Sequence, residues 1–219
     1  MKSAPLNIPT VTAPVLLDPP VSTPPSLEDH LEASANSYTT RVAELIRQVP
    51  PESIAVVAQQ INASRLALRT VFTMGNGGSA TTALHMTNDF SNAINGTASA
   101  IATRAICLNA NISLFSALAN DLGYEEVFAR QLRCLLREGD IVIGISASGN
   151  SPNCVNGLKY AREHGGLTIG LLGFDGGIMK SLCDYFIHVP CNDYRLVEDV
   201  HLAISHALSF CLMNAANSE

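Results

Sequence analysis

The stretch that decides the fold runs from Asp140 to Asn153 and reads D-I-V-I-G-I-S-A-S-G-N-S-P-N. Its first part, Asp140–Ile145, is a short β-branched apolar run of the kind that makes a strand buried on both faces. Its second part, Ser146-Ala147-Ser148-Gly149-Asn150-Ser151, gathers three hydroxyls and a glycine. Pro152 follows, at the first turn of a helix, where a missing N–H costs nothing. The segment is therefore a strand, a polar loop and a helix start in direct succession.

The same pattern precedes it. Thr70–Met74 is apolar and ends in Gly75-Asn76-Gly77-Gly78-Ser79, after which a helix is predicted from about Ala80 to Asn95. Ala100–Leu108 reads as a strand, and Leu114–Ala119 and Gly123–Leu136 as helices. Downstream, a helix runs through His164, Leu167–Leu172 is a strand, and Gly177–Leu182 a short helix. Tyr185–Val189 is a last strand, and Val197–Met213 a long closing helix. Strands alternating with helices indicate an α/β fold, a three-layer sandwich with a central parallel sheet flanked by helices. Ligands in such sheets sit at the carboxyl ends of the strands, where both Gly/Ser loops lie.

Two helices precede this core. Ser26 is an N-cap candidate with Asp29 three residues on, and the helix it starts runs to about Gln48. Pro50-Pro51 stops it, and a second helix spans about Glu52 to Ala67. Residues 1–26 hold seven of the eleven prolines, which strip donors from the backbone and block helix. They read as a disordered or polyproline-like tail, leaving residues 27–219 as a single domain with an N-terminal helical extension.

Composition narrows the function. The chain has 219 residues, 47% of them hydrophobic and 5% aromatic, so aliphatic side chains must fill the core. A net charge of −6 without a Lys/Arg cluster argues against nucleic acid. A small anion is still bindable, because backbone N–H groups at a helix start hold phosphate without side-chain charge. None of the six cysteines forms a C-x-x-C pair, so they read as small core residues in a reducing, cytoplasmic setting. No run of eighteen apolar residues predicts a membrane span, and the N-terminus lacks the apolar region of a secretory signal.

The loops carry chemistry. In Gly75–Ser79, three glycines let the backbone turn sharply and approach a ligand. In Ser146–Ser151, hydroxyls, free N–H groups and a positive helix end together make a phosphate cradle. No G-K-[ST] follows and no GxGxxG is present, so neither a nucleotide P-loop nor a dinucleotide cofactor is expected.

G-N-G-G-S before a helix and I-S-x-S-G-N-S after a strand resemble the signatures of the SIS (sugar isomerase) domain. Within it, the chain resembles the phosphoheptose isomerases. The supporting stretches are Ala117–Tyr124, Glu126–Gln131, Gly173–Gly177 and Val197–His201, and the resemblance covers about residues 28–215. It implies the SIS fold and an aldose–ketose isomerase that interconverts sedoheptulose 7-phosphate and glycero-manno-heptose 7-phosphate, feeding heptose biosynthesis. It also implies that Ser146, Ala147, Ser148 and Ser151 bind the phosphate. Asn76, Gly77, Gly78, Ser79, Asn120, Asp121 and Glu198 would line the sugar pocket. A homotetramer with sites at subunit interfaces is the usual assembly.

Four polar residues would perform the reaction. His85 and Asp89 are spaced i, i+4 and share one helix face. Glu198 and His206, eight apart, lie roughly 80° apart around an ideal helix. His201 is a further candidate on another face. Where the family pattern has Glu, this chain has Asp89, and where it has Gln, this chain has Glu198. Asp89 is assigned as base and His206 as acid, through a cis-enediol. Some family members bind zinc at the same four positions, and His85, Asp89, Glu198 and His206 are suitable N/O ligands. A carboxylate on a metal is a poor free base, so the two roles of Asp89 compete. Isomerisation of another sugar phosphate and a non-catalytic SIS regulator are the alternatives. The second is disfavoured by His206, which silent assembly factors of this fold lack.

Overall fold

The computed structural model describes residues 26–92 and 102–217. The proline-rich segment 1–25 and the starts of the strand read at Ala100 and of the loop before it lie outside the described residues.

Eight helices and five strands follow in order among the described residues. They are α1 Leu27–Gln48, α2 Pro51–Leu66, β1 Thr70–Gly75, α3 Gly78–Asn92, β2 Arg104–Cys107, α4 Ile112–Leu122, α5 Val127–Leu135, β3 Ile141–Ser146, α6 Pro152–Glu163, β4 Leu167–Leu172, α7 Gly177–Leu182, β5 Tyr185–His188 and α8 Tyr194–Ala216. Ser26 caps α1 as expected: its hydroxyl accepts from Asp29 N–H at 3.2 Å, and the Asp29 carboxylate accepts from Ser26 N–H at 2.8 Å. Residues Ser37 onward form one compact unit among the described residues.

The sheet is wholly parallel, in the order β2-β1-β3-β4-β5. The order reverses between β1 and β3, the position where open α/β sheets bind ligands. Gly75 pairs with Ile145, so β1 and β3 end level and their loops stand side by side.

Period-two alternation sorts the strand residues onto two cores. Ile141, Ile143 and Ile145 face one side with Ile169 and Leu171, packed under α2, α3 and α8 through Ile61, Met86 and Leu208. Val142 and Phe72 face the other side, against Phe128 and Leu132 of α5 and Leu158 of α6. Two buried faces make the three layers and explain the continuous apolar strands.

Three expectations shift. The helix read from Gly123 to Leu136 is a 3-10 turn, Tyr124–Glu126, followed by α5. Gly123, at φ 99° and ψ 151°, is not helical and separates α4 from this turn. The closing helix begins at Tyr194, three residues early, because the Asp193 carboxylate caps it by accepting from Arg195 N–H. By length and composition α8 could cross a membrane, but its apolar side, including Val197, Val200, Leu208 and Leu212, is spent on the core.

Candidate active site

The loop after β1 needs its glycines for close approach. A Cβ on Gly75 would come within 2.6 Å of the Ser79 carbonyl oxygen, and Gly77 holds a left-handed φ of 54°. A Cβ on Gly78 would overlap the Glu198 carboxylate, so α8 leans on the bare start of α3. Asn109 brackets the loop from the end of β2, its Nδ2 donating to Gly75 O at 2.9 Å.

The serine loop is fixed from within. Gly149 N–H donates to Ser146 Oγ at 3.1 Å, and Asn150 N–H to Ser148 Oγ at 3.3 Å. Ser146 and Ser151 hydroxyls lie 3.3 Å apart. Met179 N–H donates to Gly149 O and Ile178 N–H to Asn150 Oδ1, which ties the loop to α7. Ser151 occupies the N-cap position of α6, yet its side chain makes no capping bond. Ser151 lines the cavity that the two loops share.

Asn76, Ser79, Ser146, Ala147, Ser148 and Ser151 meet in one cavity of about 120 Å³, closed by Ile145, Tyr194 and Glu198. Glu198 is partly buried there, and burial, helped by the neighbouring Asp199 charge, holds its carboxyl above the usual range. Gly77 and Gly78 shape the loop without lining the cavity. Tyr194 was missed by the sequence because it belongs to the unread first turn of α8. It stacks edge-on against Phe174, with centroids 4.8 Å apart.

A second cluster forms where α3 and α8 lie side by side. Nε2 of His85 and Nε2 of His206 are 2.8 Å apart, and Asp89 Oδ2 stands 3.3 Å from the first and 3.7 Å from the second. The three edges, 2.8, 3.3 and 3.7 Å, scatter about the roughly 3.3 Å that separates neighbouring ligand atoms in tetrahedral zinc sites. The donor set, two imidazole nitrogens and a carboxylate, suits that ion, and the three atoms all fall within 4.8 Å of one another. Glu198 stands outside this cluster. It lies eight residues before His206, about 12 Å along the helix, level with Gly78 rather than with His85. The four-residue set read from the sequence is thus three residues here and one in the serine cavity.

Three other candidates lie away from both groups. Asn120 and Asp121 are exposed on the last turn of α4, where Asn120 Nδ2 donates to Asp121 Oδ1 at 2.8 Å, and neither lines the cavity. His201 is wholly buried, with neither ring nitrogen in a hydrogen bond. It is a core residue, not a site residue.

The SIS domain family matches residues 37–173 of the chain. The phosphoheptose isomerase of Pelobacter propionicus is 42% identical over 164 residues, covering 74% of this chain and 85% of that protein. The phosphoheptose isomerase of Aneurinibacillus thermoaerophilus is 34% identical over 83% of this chain and 89% of its own length. Among solved structures, the phosphoheptose isomerase of Neisseria gonorrhoeae superposes with a TM-score of 0.77 at 27% identity, covering 85% of this chain and 98% of that one. The enzyme of Francisella tularensis gives a TM-score of 0.78 at 25% identity, with 86% and 99% covered.

Proposed function

Because the chain belongs to the SIS domain family and to its phosphoheptose isomerase group, we propose that it interconverts sedoheptulose 7-phosphate and glycero-manno-heptose 7-phosphate in the two sites just described. The chain is an aldose–ketose isomerase. The observation that carries the assignment of parts is the split between a serine-lined anion cavity and a His/Asp/His cluster on the same helix pair.

The phosphate belongs in the cavity. Ser146, Ser148 and Ser151 offer hydroxyls, and the α6 N-terminus adds N–H groups and a positive dipole end. From Gly78 to His85, seven residues of α3 cover roughly 11 Å. That separation suits a sugar chain extended from its phosphate toward its reacting carbons.

At the cluster, Asp89 moves the proton between adjacent carbons and His206 serves the oxygens of the cis-enediol, each group contributing about 10²–10⁴-fold. His85 holds the Asp89 carboxylate through its ring nitrogen at 3.3 Å. His85, Asp89 and His206 are the residues that would hold zinc, and a bound ion would polarise the carbonyl and stabilise the enediolate. The carboxylate has an oxygen for each role. Oδ2 faces both imidazoles, whereas Oδ1 accepts only a long 3.4 Å contact from Asn88 and is the oxygen assigned to proton transfer.

We read the working form as a cytoplasmic homotetramer. All six cysteines are free, which suits a reducing compartment. α4 is apolar yet buries no residue, leaving Ile112 77% exposed, which suits burial by another subunit. In such an assembly Asn120 and Asp121 are assigned to the sugar pocket of a neighbouring subunit. Incubation with sedoheptulose 7-phosphate, followed by NMR of the aldose product, tests the reading. Unchanged substrate would overturn it.

A further inference from the structure

Asn153 lies behind the cavity and has no part in the account above. It sits in the first turn of α6, wholly buried, and its amide meets that of Asn76 from the other loop. Asn76 Nδ2 donates to Asn153 Oδ1 at 2.8 Å, and Asn153 Nδ2 donates to Asn76 Oδ1 at 2.8 Å.

The orientation of this pair is dictated by the backbone. Cys154 N–H donates to Asn153 Oδ1 at 2.9 Å, and a peptide N–H can only donate. That end of Asn153 is therefore its oxygen, and the reciprocal pairing then fixes Asn76. The Tyr124 hydroxyl must be the donor in its 2.9 Å bond to Asn76 Oδ1. Both acceptor positions of Asn76 are filled and one of its two amide hydrogens is used. A single N–H remains, on a side chain that lines the cavity.

We propose that Asn153 is a positioning residue for the sugar phosphate: through the reciprocal amide pair it sets Asn76 to present one N–H donor, and no acceptor, to a substrate oxygen. The pair also clamps the loop after β1 to the helix start after β3. These segments come from different strands, and a ligand touching both is bound well only if their separation is fixed beforehand. Because Asn153 is wholly buried, breaking the pair leaves its amide unsatisfied rather than free to bond water. The assignment rests on the sugar-phosphate reading of the cavity.

The test uses the full chain and separates the ligand's two ends. Asn153→Asp keeps the shape and the acceptor for Cys154 N–H but cannot donate to Asn76. Affinity for sedoheptulose 7-phosphate, by titration and as KM beside kcat, is expected to weaken about ten-fold, the worth of one lost hydrogen bond. Affinity for inorganic phosphate, held by the serine loop, stays within about two-fold. In a double-mutant cycle, Asn76→Ala/Asn153→Asp is no worse than Asn76→Ala alone, because Asn153 acts through Asn76. Tyr124→Phe, which leaves α6 untouched, weakens sugar-phosphate binding roughly two- to five-fold in the same direction. Equal losses for both ligands, additive losses in the cycle, or unchanged binding by Asn153→Asp would overturn the proposal. If Asn153→Asp does not fold, unchanged binding by Tyr124→Phe overturns it. A wild-type chain that binds sedoheptulose 7-phosphate without converting it would count against the isomerase reading alone, and the binding comparison would still decide the role of Asn153.

Discussion

The imidazoles of His85 and His206, 121 positions apart in the chain, face each other edge-on with their Nε2 atoms 2.8 Å apart. Two nitrogens at that distance, with a carboxylate oxygen beside both, are organised around a shared proton or a shared cation. Neither histidine is in the core, so nothing about folding requires the arrangement. Asp89→Asn and His206→Ala are therefore expected to lower kcat by about 10²-fold or more while thermal unfolding stays within a few degrees of wild type. Turnover near wild type in both variants, measured on sedoheptulose 7-phosphate, would remove the acid–base assignment.

The same triangle is the proposed zinc site. Dialysis against a chelator should strip zinc from wild type, and Asp89→Asn should bind it more weakly. Mass spectrometry or atomic absorption gives the stoichiometry independently of activity. An unaltered metal content in the double variant His85→Ala/His206→Ala would show that the ion sits elsewhere.

Gly78 and Gly149 separate two consequences of adding a methyl group. At Gly78 the new Cβ meets only the end of the flexible Glu198 side chain. Gly78→Ala should displace that carboxylate and alter KM at little cost in stability. At Gly149, with φ 64°, the new Cβ would overlap the Gly176 carbonyl oxygen, which is backbone and cannot swing away. Gly149→Ala should lower stability by about 1–3 kcal/mol, readable by urea denaturation. Equal stability losses at the two positions would contradict this division.

His201 gives the fold an acid limit. Burial pushes its pKa down to about 4, the Leu172 backbone opposes the push, and His188 adds to it. The unfolded chain binds this proton near pH 6.5 and the folded chain only near 4, so stability is full above pH 6.5 and falls between those values. The linkage is worth about 3 kcal/mol. His201→Leu should flatten the midpoint of thermal unfolding between pH 6.5 and 4.5. A variant as acid-sensitive as wild type would assign that sensitivity to other groups.

Much of the fold was readable because strands buried on both faces leave long apolar runs, and Leu167–Leu172 and Gly177–Leu182 match their predicted ends. The two loops were readable because glycines and serines gather where a buried apolar strand ends and a helix begins. Glu198 shows where sequence periodicity fails. Its angle around the helix relative to His206 is favourable, but eight residues of rise carry it to another level. Tyr194 and Asn153 went unassigned for different reasons. One lies in a helix turn announced only by Asp193, and the other acts through a contact with Asn76 that no local pattern reveals. Asn120 and Asp121 are exposed on a helix that packs on the core only through its partly buried Phe115, Leu118 and Ala119, so nothing in the fold itself explains them.

The central claim is that a serine cavity and a His/Asp/His cluster on one helix pair together isomerise a C7 sugar phosphate. Its most direct test is NMR observation of sedoheptulose 7-phosphate with the purified protein, run with zinc, with chelator, and with Asp89→Asn. The account predicts aldose formation by wild type and formation slower by about 10²-fold or more in the variant. Bound but unconverted sugar phosphate in every wild-type condition would contradict it.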